Sequence, residues 1–321
     1  MSQRSLPRGI EAILANRFSS ALLVVMFFAG AVWSPILLAG FMPMLSGMVI
    51  VSLHVLTMAL ICCILYGGGS RYGLEVGLIA TAVVFVAFSF NQLLSLSFLV
   101  FYVLIPLMAS SFIMMKDGLN RSLMLIVTSC CVLLVMVALF GDLANDIKQL
   151  VTWQFEMMSQ MKMATEMQDL IPKIKSMLEL VLPAMFMGFV FFLWTWAMLL
   201  GRWFALRYQF YVGDKRKLAS FSMSREYAAF LIVLLLAIFI FSDGIFYISL
   251  NLLLFVAGLF AFQGVLIARE WLKNRRSNFG VGMMYVVLLI QPLMLMPFVV
   301  LGLLDLHFDY RCLKKGISGG E

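Results

Sequence analysis

Charge is what this chain has least of. Asp, Glu, Lys and Arg make up 12% of its 321 residues, about half the roughly 25% of a soluble domain. That shortage excludes a water-exposed globule. It argues equally against a nucleic-acid reader, because no basic run is interleaved with stacking aromatics. Histidine is almost missing. His54 and His307 are the two in the chain, and no HExxH occurs, so a His-based metal site is not expected. Cysteine is sparse, and four of the five (Cys62, Cys63, Cys130 and Cys131) form adjacent pairs inside apolar runs, with Cys312 in the tail. Neighbours on a helix diverge by about 100°, poor geometry for one metal. There is no CxxC and no disulfide framework. Phosphate-binding and nucleophile-elbow patterns are absent too: Gly67-Gly68-Gly69-Ser70 opens no βαβ unit. Nothing assembles a nucleophile, a base and an oxyanion hole. The sequence therefore assigns no catalytic residue, cofactor or metal.

What is present is apolar length. The chain is 63% hydrophobic, with a mean hydropathy of +1.03. Apolar runs near residues 20–38, 44–66, 74–90, 93–114, 123–140, 177–200, 227–242, 246–267 and 281–304 approach the roughly 17 to 25 residues a bilayer crossing needs. The expectation is an all-α polytopic transmembrane helix bundle of eight or nine spans with an amphipathic extramembrane helix in its middle. Residues 1–17 read as a cytoplasmic N-terminus followed by an uncleaved first span. Residues 18–140 read as a front membrane block, 141–175 as an outer-side helical segment, 176–304 as a rear membrane block, and 305–321 as a charged tail. Orientation follows from the basic loops at Arg4–Arg17, Arg71, Lys116–Arg121, Arg202–Arg225 and Arg269–Arg276, which alternate with short or nearly neutral ones. With nine spans the tail, which carries Arg311, Lys314 and Lys315, falls outside; with eight it falls inside.

The middle segment carries Leu143, Ile147, Leu150, Val151, Phe155, Met158 and Met161 at largely helical spacing, with Asp142, Asp146, Lys148 and Glu156 off that stripe. It is expected to run from Asp142 until Pro172 ends it near Ile171, roughly 45 Å in all. Either it packs on its own membrane domain and lipid, or its Met-rich face docks a partner.

Polar groups inside spans are costly and so are candidates for function. Asn91 and Gln92 break two apolar runs, as a turn or as a polar rim that meets a ligand. Asn251, Gln263 and Gln291 lie inside rear spans. Their amides either bind one another across helices or line a polar cavity. His54 reads as a neutral imidazole hydrogen-bonded within the bundle, and Asp243-Gly244 as a turn.

The run from Leu301 to Arg311, with Gly302, Asp305, Asp309 and Arg311, resembles the terminal signature of the YybS-like bacterial membrane proteins. Leu200-Gly201-Arg202-Trp203 before a basic loop, and Gly258 to Gly264 before the last span, resemble it as well. The resemblance implies a bacterial inner-membrane protein. It also implies a distant similarity to the substrate-binding subunits of energy-coupling-factor transporters, helical bundles that capture a small molecule and rely on a separate ATPase. Small-solute binding or transport without an ATPase of its own is the first functional expectation. Its partners would be the lipid bilayer and a transporter energising module. The alternative is a membrane scaffold that recruits a membrane-protein partner through the middle helix and tail.

Overall fold

A backbone in hydrocarbon has no water to bond, so its N–H and C=O groups must satisfy one another within helices or closed barrels. The computed structural model takes the helical route. It describes residues 15–38, 43–115, 118–160, 171–208, 218–275, 277–291 and 294–308. Among these no strand occurs. In order they form α1 (Arg17–Leu38), α2 (Pro43–Ala87), α3 (Gln92–Phe98), a π-helical turn (Leu99–Leu104) and α4 (Ile105–Ile113). Then follow α5 (Gly118–Phe140), α6 (Leu143–Gln160), α7 (Ile171–Arg207), a short 3-10 turn (Leu218–Ser220), α8 (Arg225–Ile240), α9 (Asp243–Asn274), α10 (Asn278–Ile290) and α11 (Leu295–Phe308).

Among the described residues six stretches are long and apolar enough to cross a membrane: within α1, α2, the continuous run Gln92–Ile113, α5, α7 and α9. A bent pair, α10 with α11, makes up to seven. This is fewer than the eight or nine expected, and the differences have local causes. α2 holds 45 residues, about 68 Å at 1.5 Å per residue, twice a hydrocarbon core. It contains the two runs expected as separate spans, and Gly69 divides them with φ 83 and ψ 172, a backbone open to glycine and hardly any other residue. α8, with 16 residues, is shorter than a usual span. The last apolar run, expected as one span over 281–304, is two helices bent by 119°. Pro292 disfavours helical ψ at the residue before it, and Gln291 accordingly leaves the helix at φ −130 and ψ 86.

The other breaks follow turn chemistry. Ser89 and Phe90 both have positive φ, and Asn91 caps α3 by accepting the Leu94 N–H at 3.0 Å. Asp243 has φ 56, and Ser242 donates to its Oδ2 at 3.2 Å, where α8 gives way to α9. The middle helix α6 ends at Gln160, short of the expected Ile171. Residues 161–170, with Met161, lie outside the described residues, and Pro172 opens α7 instead of closing α6. On α6, Val151 is buried and Leu143, Ile147 and Phe155 are half-buried at four-residue steps, while Asp142, Asp146, Lys148 and Glu156 are exposed.

The chain forms two compact units that interleave in sequence. The first comprises Met1–Ser129 and Val190–Arg216, the second Cys130–Phe189 and Lys217–Glu321. In the first unit α1 packs along α2, with Ala21, Val24, Phe28 and Ala31 buried at helical spacing. The Phe28 ring meets Phe98 and Tyr102 edge-on at 4.7 and 5.0 Å, an aromatic geometry that adds to plain burial. In the second unit α9 is the central helix. Leu252, Phe255, Val256, Leu259, Phe260 and Leu266 are buried along it, and α8, α10 and α11 pack against it.

Candidate functional site

A hydroxyl inside a span usually folds back on the carbonyl four residues earlier, which hides it from lipid. Thr57 does so onto Leu53, Thr81 onto Gly77 and Thr128 onto Met124, at 2.7 to 2.9 Å. In the first unit three hydroxyls depart from this habit. Tyr66 Oη, Ser110 Oγ and Thr195 Oγ1 are buried without a well-formed hydrogen bond among the described residues, Ser110 meeting Tyr66 and Cys62 only loosely. The residues are 2%, 0% and 3% exposed.

For Ser110 the cause is visible. Its back-bonding carbonyl, Pro106 O, is taken by the Cys62 thiol at 3.9 Å. The Ser110 hydroxyl therefore points among Cys62 and Tyr66, close enough to interact with both. Arg202, 6% exposed, lies within electrostatic reach of the same tyrosine. Gly201 brings it there: a Cβ at that position would stand 2.7 Å from Cys62 Cβ and 2.8 Å from the Ala59 carbonyl. Only a residue without a side chain lets α7 lie this close to α2. Thr195 and Arg202 are seven residues apart, two turns on one face, with buried Met198 and Ala205 on the same side.

The neighbouring π-helical turn is satisfied, and its bonding shows how. Ile105 N–H bonds to Val100 O, a five-residue step. The next bond in that register would come from Pro106, which has no N–H. The carbonyl so orphaned, Phe101 O, accepts the Trp194 indole N–H at 3.0 Å. Trp194→Phe should keep the ring packing and lose that donor, lowering stability by about 1–2 kcal/mol in a thermal melt. An unchanged melting point would mean that the bond contributes nothing. Tyr102, on the same turn, pairs its hydroxyl with His54 Nδ1 at 2.6 Å. His54 is thus hydrogen-bonded inside the bundle, as its isolation in an apolar run suggested.

Around α9 in the second unit the polar groups are bonded, although Glu179 Oε1 on α7 is buried without a hydrogen bond of its own among the described residues. Pro183 interrupts α7 and leaves the Glu179 carbonyl without its usual donor. The Tyr247 hydroxyl donates to that carbonyl at 3.0 Å. One turn along α9, Asn251 Oδ1 accepts the Ala184 N–H at 3.0 Å, and its Nδ2 donates to Leu180 O at 3.1 Å. The amide bridges the helical bond that the proline kink opens. Farther along the same helix, Gln263 Oε1 accepts the Met223 N–H at 2.8 Å. Its Nε2 donates to Gly302 O at 3.3 Å and to Asp305 Oδ2 at 2.9 Å. Asn251, Gln263 and Asp305 are all buried.

The amides expected in the rear spans are therefore not drawn together. Asn251 and Gln263 stand twelve residues apart on α9, about 18 Å along its axis, and each clasps backbone of other segments. Gln291 is exposed at the break after α10. Asn91 and Gln92 lie at the exposed start of α3. Of the tail signature, Gly302 and Asp305 gather around Gln263, whereas Asp309 and Arg311 lie outside the described residues. Among the described residues no group of His, Cys, Asp and Glu could hold a metal ion.

Sequence reasoning missed Tyr66, Ser110 and Thr195, because Ser, Thr and Tyr interrupt an apolar run too mildly to be noticed. Arg202 was visible, but as the first residue of a basic loop. The signal that was available is Gly201 beside it, a small residue that invites close helix contact.

No curated protein and no solved structure matches this chain. A family described as predicted membrane protein (DUF2232) matches residues 21–306. With so much of the sequence covered, the chain belongs to that family of membrane proteins.

Proposed function

We propose that this protein is a multi-pass protein of the bacterial inner membrane that binds a small solute in its first unit and has no energy source of its own. The observation that carries this reading is the set of buried hydroxyls at Tyr66, Ser110 and Thr195 that form no well-made hydrogen bond among the described residues, in the unit that also buries Arg202. An unmade hydrogen bond on a buried group costs about 1–3 kcal/mol. A fold that satisfies the polar groups of α9 so completely has reason to leave these open only if something else fills them. The YybS-like tail signature and the distant similarity to substrate-binding subunits of energy-coupling-factor transporters are in line with it. An energising module would then be a separate chain.

Topology fits the same reading. Counting the two halves of α2 and the bent pair α10–α11 as crossings gives eight, and nine if the 16-residue α8 crosses as well. In the first unit Arg17 and Arg71 share Glu75 at 3.1 and 3.2 Å. Two segments assigned to the cytoplasm by their charge thus meet at one end of the unit. The N-terminus is cytoplasmic on this account.

The test is thermal denaturation of the detergent-purified protein against a metabolite and vitamin panel. A ligand at a hundred times its Kd adds about 2.7 kcal/mol of stability, so a rise of several degrees is expected for at least one compound. A flat response to the whole panel would overturn the reading. The competing reading, a scaffold that recruits a partner through α6, is favoured by the exposure of Leu150 and Trp153 on that helix. It predicts a co-purifying protein that is lost when residues 142–160 are deleted.

A further inference from the structure

We propose that the Trp–Arg pairs at the ends of α7 and α9 each hold the phosphate headgroup of an anionic phospholipid. The inference is independent of the solute-binding reading and concerns the outer surface of each unit.

The two helices close on the same pattern, a tryptophan with an arginine four residues on: Trp203 with Arg207, and Trp271 with Arg275. Residues at that spacing share a face. In both pairs the guanidinium lies over the indole, 5.2 and 4.0 Å from the ring centroid. Stacking occupies the flat face of the guanidinium and leaves its N–H edge free for the two-point contact that a phosphate accepts. Neither arginine meets a carboxylate: the ion pairs among the described residues are those of Arg17 and Arg71 with Glu75. Arg207 and Arg275 are exposed, and the two rings are 50% and 49% exposed.

Depth favours a lipid headgroup over a free anion. The apolar run of α7 ends at Leu200 and that of α9 at Ile267. The rings therefore stand about 5–6 Å beyond the hydrocarbon by helical rise, the level that amphipathic rings prefer. On α7, Phe192, Trp196, Trp203 and Arg207 fall on one face. Phe192 and Trp196 are 51% and 52% exposed, so an acyl chain can lie along this stripe with its phosphate at Arg207.

Charge selects the headgroup. A helix C-terminus carries about half a negative charge and opposes an anion. At α7 the full charge of Arg207 outweighs it. At α9, Arg269, Lys273 and Arg275 stand against the one carboxylate of Glu270, a wider margin. A zwitterionic headgroup brings its own ammonium to these cations and gains less. Each basic side chain near a membrane surface favours anionic lipid by about fivefold.

The test is the melting of the full chain in detergent as phosphatidylglycerol, phosphatidylcholine or inorganic phosphate is added at matched ionic strength. Wild type is compared with the double variant Arg207→Gln/Arg275→Gln and with Arg71→Gln. Arg71 is the control because its side chain is 95% exposed and lies over no tryptophan ring. Phosphatidylglycerol should stabilise the wild type more than phosphatidylcholine does. The amount needed for half of that gain should rise about fivefold or more in the double variant and stay near the wild-type value in Arg71→Gln. Native mass spectrometry, which does not depend on the melt, should show fewer phosphatidylglycerol molecules retained per chain in the double variant.

Four results would overturn the proposal. Equal stabilisation by phosphatidylcholine would mean that apolar contact alone is at work. Equal stabilisation by inorganic phosphate would mean a free anion, with no part for the lipid. Equal weakening by Arg71→Gln would mean diffuse attraction to net charge. Unchanged lipid retention in the double variant would mean that the headgroup is held elsewhere.

Discussion

Gly264→Val is expected to part α9 from α11 and to cost about 3 kcal/mol or more. The two helices meet backbone to backbone. A Cβ on Gly264 would run into the carbonyl of Phe298, and a Cβ on Gly302 would run into the carbonyl of Phe260. The two contacts are reciprocal, offset from each other by four residues on each helix. Neither obstacle is a flexible side-chain end that could turn away; both are main chain. Without a hydrophobic drive between helices in lipid, close packing through small residues is a large part of what holds them. Parting α9 from α11 also removes Gly302 and Asp305 from Gln263, so the loss extends beyond the clash. The check is the melting temperature in detergent, with Gly258→Ala as control. That position is on the same helix and has nothing within 4 Å of a built Cβ. It should be neutral or gain up to about 1 kcal/mol from better helix propensity. Equal effects at the two glycines would contradict the packing described.

Gln263→Leu has the second-largest expected effect, about 2–4 kcal/mol. Leucine fills much of the same volume, so the cavity contribution is small. What is lost is the acceptor for Met223 N–H and the donor to Gly302 O and Asp305 Oδ2. Each is buried, and each left unmade costs more than the bond itself contributes. The effect should be local to the segment before α8, where Phe221 is fully buried and Met223 is 2% exposed. Faster amide exchange at Met223, together with the lower melt, is the predicted signature. A lower melt with unaltered exchange there would place the loss elsewhere.

The class of this fold was legible because it follows from solvent. So few charges over so long an apolar chain leave helices in lipid as the available solution, and turn chemistry at Asn91 and Asp243 marked two breaks correctly. Gly69 and Pro292 were harder to read. One glycine among Gly67, Gly68 and Gly69 takes the positive φ, and composition does not say which. A proline in an apolar run either kinks a helix, as Pro183 does within α7, or ends it, as at Gln291. Packing decides between the two, and the sequence shows no packing. The same holds for the polar groups. Gln263 and Asn251 stood out because amides are rare in spans, yet their partners are main-chain atoms supplied by a kink and by a loop. Tyr66, Ser110 and Arg202 come from three segments that are distant in the chain, and no local pattern links them.

Two uses of buried polarity lie at the centre of this account: around α9 it holds the fold together, and in the first unit it is kept open for a ligand. Melting Gln263→Leu and Tyr66→Phe side by side, in the same detergent and without added ligand, tests that division directly. The account predicts a fall of several degrees for Gln263→Leu and no fall for Tyr66→Phe. A fall for Tyr66→Phe with none for Gln263→Leu would contradict it.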